Sequence, residues 1–268
     1  MTYPSPLKVI SRRLTDNIVL SSTAFKRFDK LNFGARMALF HYGNRIIVWS
    51  AIPYGEEVDK ALSLLTGKNQ NSVAYLVIPD NEHTMAAASF KQTFPEMKII
   101  ASSGVNLGPA TPIDYVISEP HVIVGKSALS TLGIEDQAIL DNFEFVYLPH
   151  HGNQELVMFD KQSKTLFEAD LLFNLRSDQR LEQFGTELGF APDFNPHGGW
   201  SYLTRYLNPD SKVGGFLLNR LAKPASAPGL KNIYSWNFDR IVMCHGNVIE
   251  QNGREEFKKV FKSVLPDV

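Results

Sequence analysis

Four short clusters of ligand-type side chains stand out along the chain: Asp80-Asn81-Glu82-His83, His150-His151-Gly152-Asn153, Asp170, and His245-Gly246-Asn247. Imidazole is the commonest metal ligand and carboxylates complete hard or borderline sites, so His and acid groups gathered from such clusters can hold zinc, iron or manganese. Cysteine is not needed, and Cys244 is the only one in the chain. That count excludes an internal disulfide framework and any Cys-rich zinc ribbon, and it fits a reducing compartment. Each cluster closes an apolar run of strand character: VAYLVI, FEFVYLP, KTLFEA and RIVMC. A buried strand fixes the backbone while the loop behind it opens to solvent, which is where functional groups concentrate. Any one His or Asp at a strand end serves more often as a cap or turn residue than as a ligand. The reading rests on the four together, in this order.

The elements that must gather these residues follow from periodicity. Short β-type runs cover Asn17–Ser21, Ala35–Phe40 and Arg45–Trp49, the last two joined by a His41-Tyr42-Gly43-Asn44 turn suited to a hairpin. Glu56–Leu65 places Val58, Ala61, Leu62 and Leu65 at helical spacing and stops at Gly67. Val73–Ile78 reads as a buried strand, Thr84–Phe94 as a helix ended by Pro95, and Lys98–Ala101 as the next strand. Further strands are expected at Val116–Ser118, Val122–Val124, Phe143–Leu148, Glu155–Phe159 and Lys164–Glu168, with an Asp160–Ser163 turn between the last two. Helical patterning dominates 178–236 apart from the Pro/Gly-rich Ala191–Gly199, and strand Arg240–Cys244 and helix Arg254–Val264 close the chain. Strand clusters at both ends, each joined to helices, predict a layered α/β (α+β) sandwich formed as a single domain over 1–268, not a barrel or an all-parallel sheet.

Composition narrows the function classes. The chain has 268 residues, 44% apolar and 21% charged, an ordinary globular balance far from that of disordered chains. Its net charge of -1 is scattered without a basic footprint, which argues against nucleic acid. No signal-peptide core and no run of about 18 apolar residues occurs, so a soluble cytoplasmic protein with a small-molecule substrate and no membrane partner is expected. Gly125-Lys126-Ser127 lacks the upstream glycine of a phosphate loop, since Pro120 stands there, and no Gly-x-Gly-x-x-Gly or Gly-x-Ser-x-Gly occurs. Strand alternation turns Cys244 to the face opposite His245, as a buried structural thiol. His41 and His121, without neighbouring acid motifs, read as structural.

In the order and spacing of these clusters the chain resembles the metallo-β-lactamase fold superfamily, and within it the DUF4336-type branch. The resemblance spans Ala35 to about Val264 and implies a four-layer αββα sandwich with its metal centre at one edge of the two sheets. The family's His-x-His-x-Asp-His motif falls on Ile78-Pro79-Asp80-Asn81-Glu82-His83, its middle His on His151, its strand-closing Asp on Asp170 and its late His on His245-Gly246. Family spacing also selects His151 over His150. Ile78 cannot coordinate, and Asp80 replaces the second His, so one of the family's two metal positions is damaged. The resemblance therefore implies one divalent ion, zinc first with iron or manganese as alternatives, held by His83, Asp170 and His245 with Glu82 or His151 as a further ligand. A second ion on Asp80 and His151 is the lesser alternative. Asp80 or Glu82 would orient water or move its proton, and His151 would ligate or stabilise an oxyanion. The implied activity is hydrolysis of a small ester, lactone, amide or thioester. The alternatives are a catalytically degenerate protein of the same fold and a metal-centred oxidoreductase. Asn195–Trp200 is the candidate for substrate contact, although Trp200 packed inward behind a turn is the stronger expectation.

Overall fold

The computed structural model describes residues 2–265. The first half comprises β1 (Ile10–Thr15), β2 (Ile18–Thr23), a small ribbon of β3 (Lys26–Arg27) and β4 (Leu31–Asn32), β5 (Ala35–Tyr42), β6 (Arg45–Trp49), α1 (Glu56–Thr66), β7 (Val73–Ile78), α2 (Ala87–Thr93), β8 (Lys98–Ser102) and β9 (Tyr115–Ile117). The second comprises β10 (Ile123–Val124), α3 (Lys126–Thr131), α4 (Gln137–Leu140), β11 (Phe143–Leu148), β12 (Glu155–Asp160), β13 (Thr165–Glu168), α5 (Lys212–Ala222), α6 (Ala227–Ser235), β14 (Arg240–Met243) and α7 (Gly253–Phe261). A seven-stranded sheet runs β1-β2-β5-β6-β7-β8-β9, antiparallel as far as β6 and parallel from β6 to β9. A five-stranded sheet runs β10-β11-β12-β13-β14, with only the last pair parallel.

Alternation along each strand divides its side chains between two cores. On β5, Ala38 and Phe40 enter the core between the sheets with Phe143, Met158, Phe167 and Val242. Met37 and Leu39 point the other way, to Val58, Ala61, Leu62 and Leu65 of α1. Helix α1 ends where the sequence predicts, at Gly67, whose positive φ of 72° lets its N–H close on the Ser63 carbonyl at 2.8 Å. On the far side α6 packs on β11 and α7 on β14. The result is the layered αββα sandwich expected from the sequence.

Where the expectations differ from the structure, the causes are local. Strand β1 was not foreseen, because an edge strand reading Ile-Ser-Arg-Arg-Leu-Thr keeps its arginines at the rim and never shows an apolar run. The helix expected over Thr84–Phe94 narrows to Ala87–Thr93, its first residues forming a turn. Between 178 and 206 the chain makes three short 3-10 turns, Glu182–Phe184, Thr186–Leu188 and Gly199–Tyr206, in place of α-helix, as its repeated Gly and Pro require. The short helices α3 and α4 have too few residues to register as a period.

Candidate metal centre

His83 follows β7 of the seven-stranded sheet, and Asp170 and His245 follow β13 and β14 of the five-stranded one, so strand ends of both sheets deliver them to one edge of the sandwich. One potential ligand atom from each lies within 4.8 Å of those of the other two. Each imidazole is oriented from behind. His245 Nδ1 donates to the Gly34 carbonyl at 2.7 Å, since a carbonyl can only accept, and this turns Nε2 forward. That nitrogen faces Asp170 Oδ1 at 3.1 Å, an oxygen that no other protein group hydrogen-bonds. An imidazole nitrogen and a carboxylate oxygen this close share a proton or a cation. His83 is held likewise: its Nδ1 lies 2.8 Å from Asp80 Oδ1, which also accepts the backbone N–H groups of Glu82 (2.8 Å) and His83 (2.9 Å). This is the carboxylate-to-histidine support typical of metal-ligating imidazoles.

Asp170 is fixed from its own backbone. The Glu155 carboxylate accepts the N–H groups of Ala169 (2.7 Å) and Asp170 (3.0 Å), and the Asn153 amide donates to Asp170 Oδ2. Burial opposes the Asp170 charge, but His245, through its hydrogen bond and charge, with His83 behind it, outweighs it and holds the carboxyl well below the usual range. Burial raises Glu155 well above its ordinary value, reinforced by the charges of Asp80 and Asp170. Burial also works against a charged His83, yet Asp80, helped by Cys244, raises its pKa. Phe33 and Phe173 pack at 5.4 Å from the His245 ring and leave it little contact with water.

The remaining sequence-predicted residues take different places. Asp80 is fully buried, with Oδ1 committed to His83 and its turn and with Oδ2 unpartnered. Glu82 stands outside the three-residue group, on the pocket wall, 3.6 Å from the Arg27 guanidinium. His151 is buried nearby and also outside the group. Its Nδ1 accepts the Asn153 N–H at 3.3 Å, which leaves the proton of the neutral ring on Nε2, an atom with no protein partner. Burial lowers the His151 pKa, favouring that neutral form. His150 stacks instead on His121, ring centroids 5.3 Å apart. Cys244 joins the inter-sheet core as the expected buried thiol, 3.0 Å from Ser50 Oγ. The expected inward packing of Trp200 is not observed: the side chain is 75% exposed, and the segment lines no part of the metal pocket, its His197 being tied to Thr204 Oγ1 and the Arg176 carbonyl.

The pocket above the three ligands is small, about 30 Å³, room for an ion with one or two waters and far below a drug-sized cavity. Tyr3, Arg27, Glu82 and Met85 line it. Burial pushes the Tyr3 phenol up to about 12, so it stays a donor. Tyr3, Arg27, Gly34, Asn153 and Glu155 were not identified as site residues from the sequence. Glu155 alone carried a signal, a carboxylate opening the apolar run Leu156–Phe159.

No family profile and no curated protein matches the sequence. Solved structures do. A metallo-β-lactamase from Hirschia baltica aligns over 96% of this chain and 97% of its own with a TM-score of 0.58 at 12% identity. The metallo-β-lactamase FIM-1 from Pseudomonas aeruginosa, solved in a mono-zinc form, aligns over 98% and 97% with a TM-score of 0.59 at 9% identity. The flavodiiron core of Flv1 from Synechocystis sp. PCC6803, solved after metal soaking, aligns over 97% of this chain and 61% of its own with a TM-score of 0.58 at 12% identity. The chain thus has the metallo-β-lactamase fold.

Proposed function

We propose, from the metallo-β-lactamase fold and the geometry at its sheet edge, that the protein is a hydrolase of a small ester, lactone, amide or thioester that depends on one divalent metal. The observation that carries the reading is the convergence of His83, Asp170 and His245, with ligand atoms within 4.8 Å of one another and His245 Nε2 set 3.1 Å from Asp170 Oδ1 while its Nδ1 is committed to Gly34. His83, Asp170 and His245 would hold the ion, two imidazoles and a carboxylate suiting zinc first and iron or manganese after it. When bound, such an ion supplies Lewis acidity and lowers the pKa of water toward about 7.

The chain's own groups would do the rest. Glu82, on the pocket wall, takes the proton of the attacking water and returns it to the departing oxygen, nitrogen or sulfur as the acyl bond breaks. The Tyr3 phenol and the Nε2–H of His151 donate to the carbonyl oxygen as charge develops there. Asp80 keeps His83 aimed, and the Phe33 and Phe173 rings exclude bulk water. Asp80 and Ile78, standing where the family's motif has two histidines, support one ion over two and favour the DUF4336-type branch.

Metal analysis of protein purified without chelator tests this. About one equivalent of zinc, lost together with esterase or thioesterase activity on treatment with chelator, is expected. His83→Ala and His245→Ala abolish metal retention while His41→Ala keeps it. A fully folded, metal-free protein supports the degenerate alternative, in which the buried Ile78 marks a centre that has decayed. Stoichiometric iron directs attention to redox chemistry. Equal retention in all three variants refutes the assignment.

A further inference from the structure

A second surface is left unused by the metal chemistry. Half of the large hydrophobic side chains that are exposed among the described residues fall within 194–217. In the Gly199–Tyr206 turn, Trp200, Tyr202 and Leu203 are 75%, 51% and 70% exposed. On α5, Lys212, Val213, Phe216, Leu217 and Arg220 are all exposed, at spacings that put them on one side of the helix, while Gly214, Leu218 and Ala222 are buried on the other. This helix therefore presents an apolar face to solvent, the reverse of an ordinary surface helix. Turn and helix form one surface, because Gly214 packs so tightly on the Tyr206 carbonyl that a Cβ there would collide with it.

Cations accompany the rings. Lys30 stands 5.3 Å over Trp200, Arg205 5.1 Å over Tyr202, and Arg220 5.9 Å over Phe216. Lys212, Lys259 and Lys262 line an adjoining groove of about 550 Å³ between α5 and α7. Between 199 and 223 the sequence has Arg205, Lys212, Arg220 and Lys223 against a single acid, Asp210. That acid is already bound by Arg176 at 2.5 Å and Lys259 at 3.1 Å. A locally cationic face thus sits on a chain whose total charge is -1.

We propose that this face docks the protein peripherally on bilayers containing anionic phospholipid. Trp and Tyr favour the headgroup boundary, Val213, Phe216 and Leu217 would enter the outer acyl region, and the Lys and Arg groups would meet lipid phosphates and carboxylates. A second copy of the chain is a poorer occupant. A two-fold contact sets the patch on itself, opposing Arg205, Lys212 and Arg220 to their equals with no free acid between them. The expectation of no membrane partner rested on the lack of a spanning segment, which does not bear on docking from outside. The proposal is independent of the hydrolytic reading.

Trp200 is the exposed tryptophan, Trp49 and Trp236 being buried, and so reports contact directly. With the full chain and vesicles of phosphatidylcholine and phosphatidylserine at about 2:1, Trp200 emission should shift to the blue and the protein should co-sediment, with neither effect on phosphatidylcholine alone. Each cation lost should weaken partitioning about fivefold, so Lys212→Glu with Arg220→Glu lowers it by more than about tenfold. Phe216→Ser abolishes the shift, and Trp200→Phe removes the signal but not the sedimentation. All four side chains are exposed, and an unchanged melting temperature verifies folding. No partitioning onto the anionic vesicles, or equal partitioning by the charge-reversed variant, overturns the proposal. So does a dimer seen by sedimentation equilibrium that Phe216→Ser dissolves in the absence of vesicle binding, which would assign the face to a second copy.

Discussion

At the scale of single residues, Asp80 and Ile78 make this site different from a two-ion centre. Ile78 is buried in the helix-side core, and Asp80 spends one oxygen on the ring and backbone of His83 and the amide of Glu82. An orienting partner of this kind is worth about 10–100-fold in metal affinity. Asp80→Ala is accordingly expected to weaken metal retention by that factor in competition with a chromogenic chelator, and Asp80→Asn, which still accepts the Nδ1–H, by less. Wild-type affinity in Asp80→Ala would remove the positioning role. Ligand-type residues closing apolar strands are noticeable in the sequence, and the family resemblance selects His83, Asp170 and His245 among them. Asn153 and Gly34 leave no such trace, and Glu155 shows only a carboxylate opening an apolar run, since each acts on a residue 14 or more positions away, through contacts that only the folded chain creates.

At the scale of elements, legibility follows the length of the apolar signal. Val73–Ile78 and Phe143–Leu148 match the expected strands to the residue, since both are buried on two faces and read as unbroken apolar runs. Edge strand β1 and the 3-10 turns after Asp178 carry mixed signals, and there tertiary packing decided the outcome. The helix α1 face gives a direct check on the layering. Leu62 is 1% exposed against the seven-stranded sheet and Leu64 is 38% exposed. Leu62→Ala should cost about 2–5 kcal/mol in urea unfolding, and Leu64→Ala less than about 1 kcal/mol. Equal effects would place α1 wrongly on the sheet.

At the scale of the whole molecule, the two sheets are locked together beside the metal pocket. Arg36 of β5 is fully buried and binds Ser22 on the same sheet, the Met243 carbonyl at the end of β14, and Glu182 at 3.0 Å. Burial opposes ionisation of Glu182, but Arg36 and Arg12 outweigh it and hold its carboxyl below the ordinary range. A depressed acid stabilises the fold above its unfolded pKa of about 4.3 and loses that contribution as pH falls through the lower folded value. Glu182→Gln should therefore lower stability by about 3 kcal/mol at neutral pH, near the bottom of the range for a broken buried pair, because Glu182 is 31% exposed. The gap from the parent should stay constant above about pH 5 and close below it, read from melting temperatures across pH. A gap independent of pH would mean that Glu182 acts only through packing.

Anomalous diffraction, recorded at the absorption edge of whatever metal copurifies, locates the bound ion and counts its sites. A single peak within coordination distance of His83, Asp170 and His245 is the predicted result. A peak elsewhere, two peaks of equal height, or none in a crystal of metal-loaded protein would contradict it.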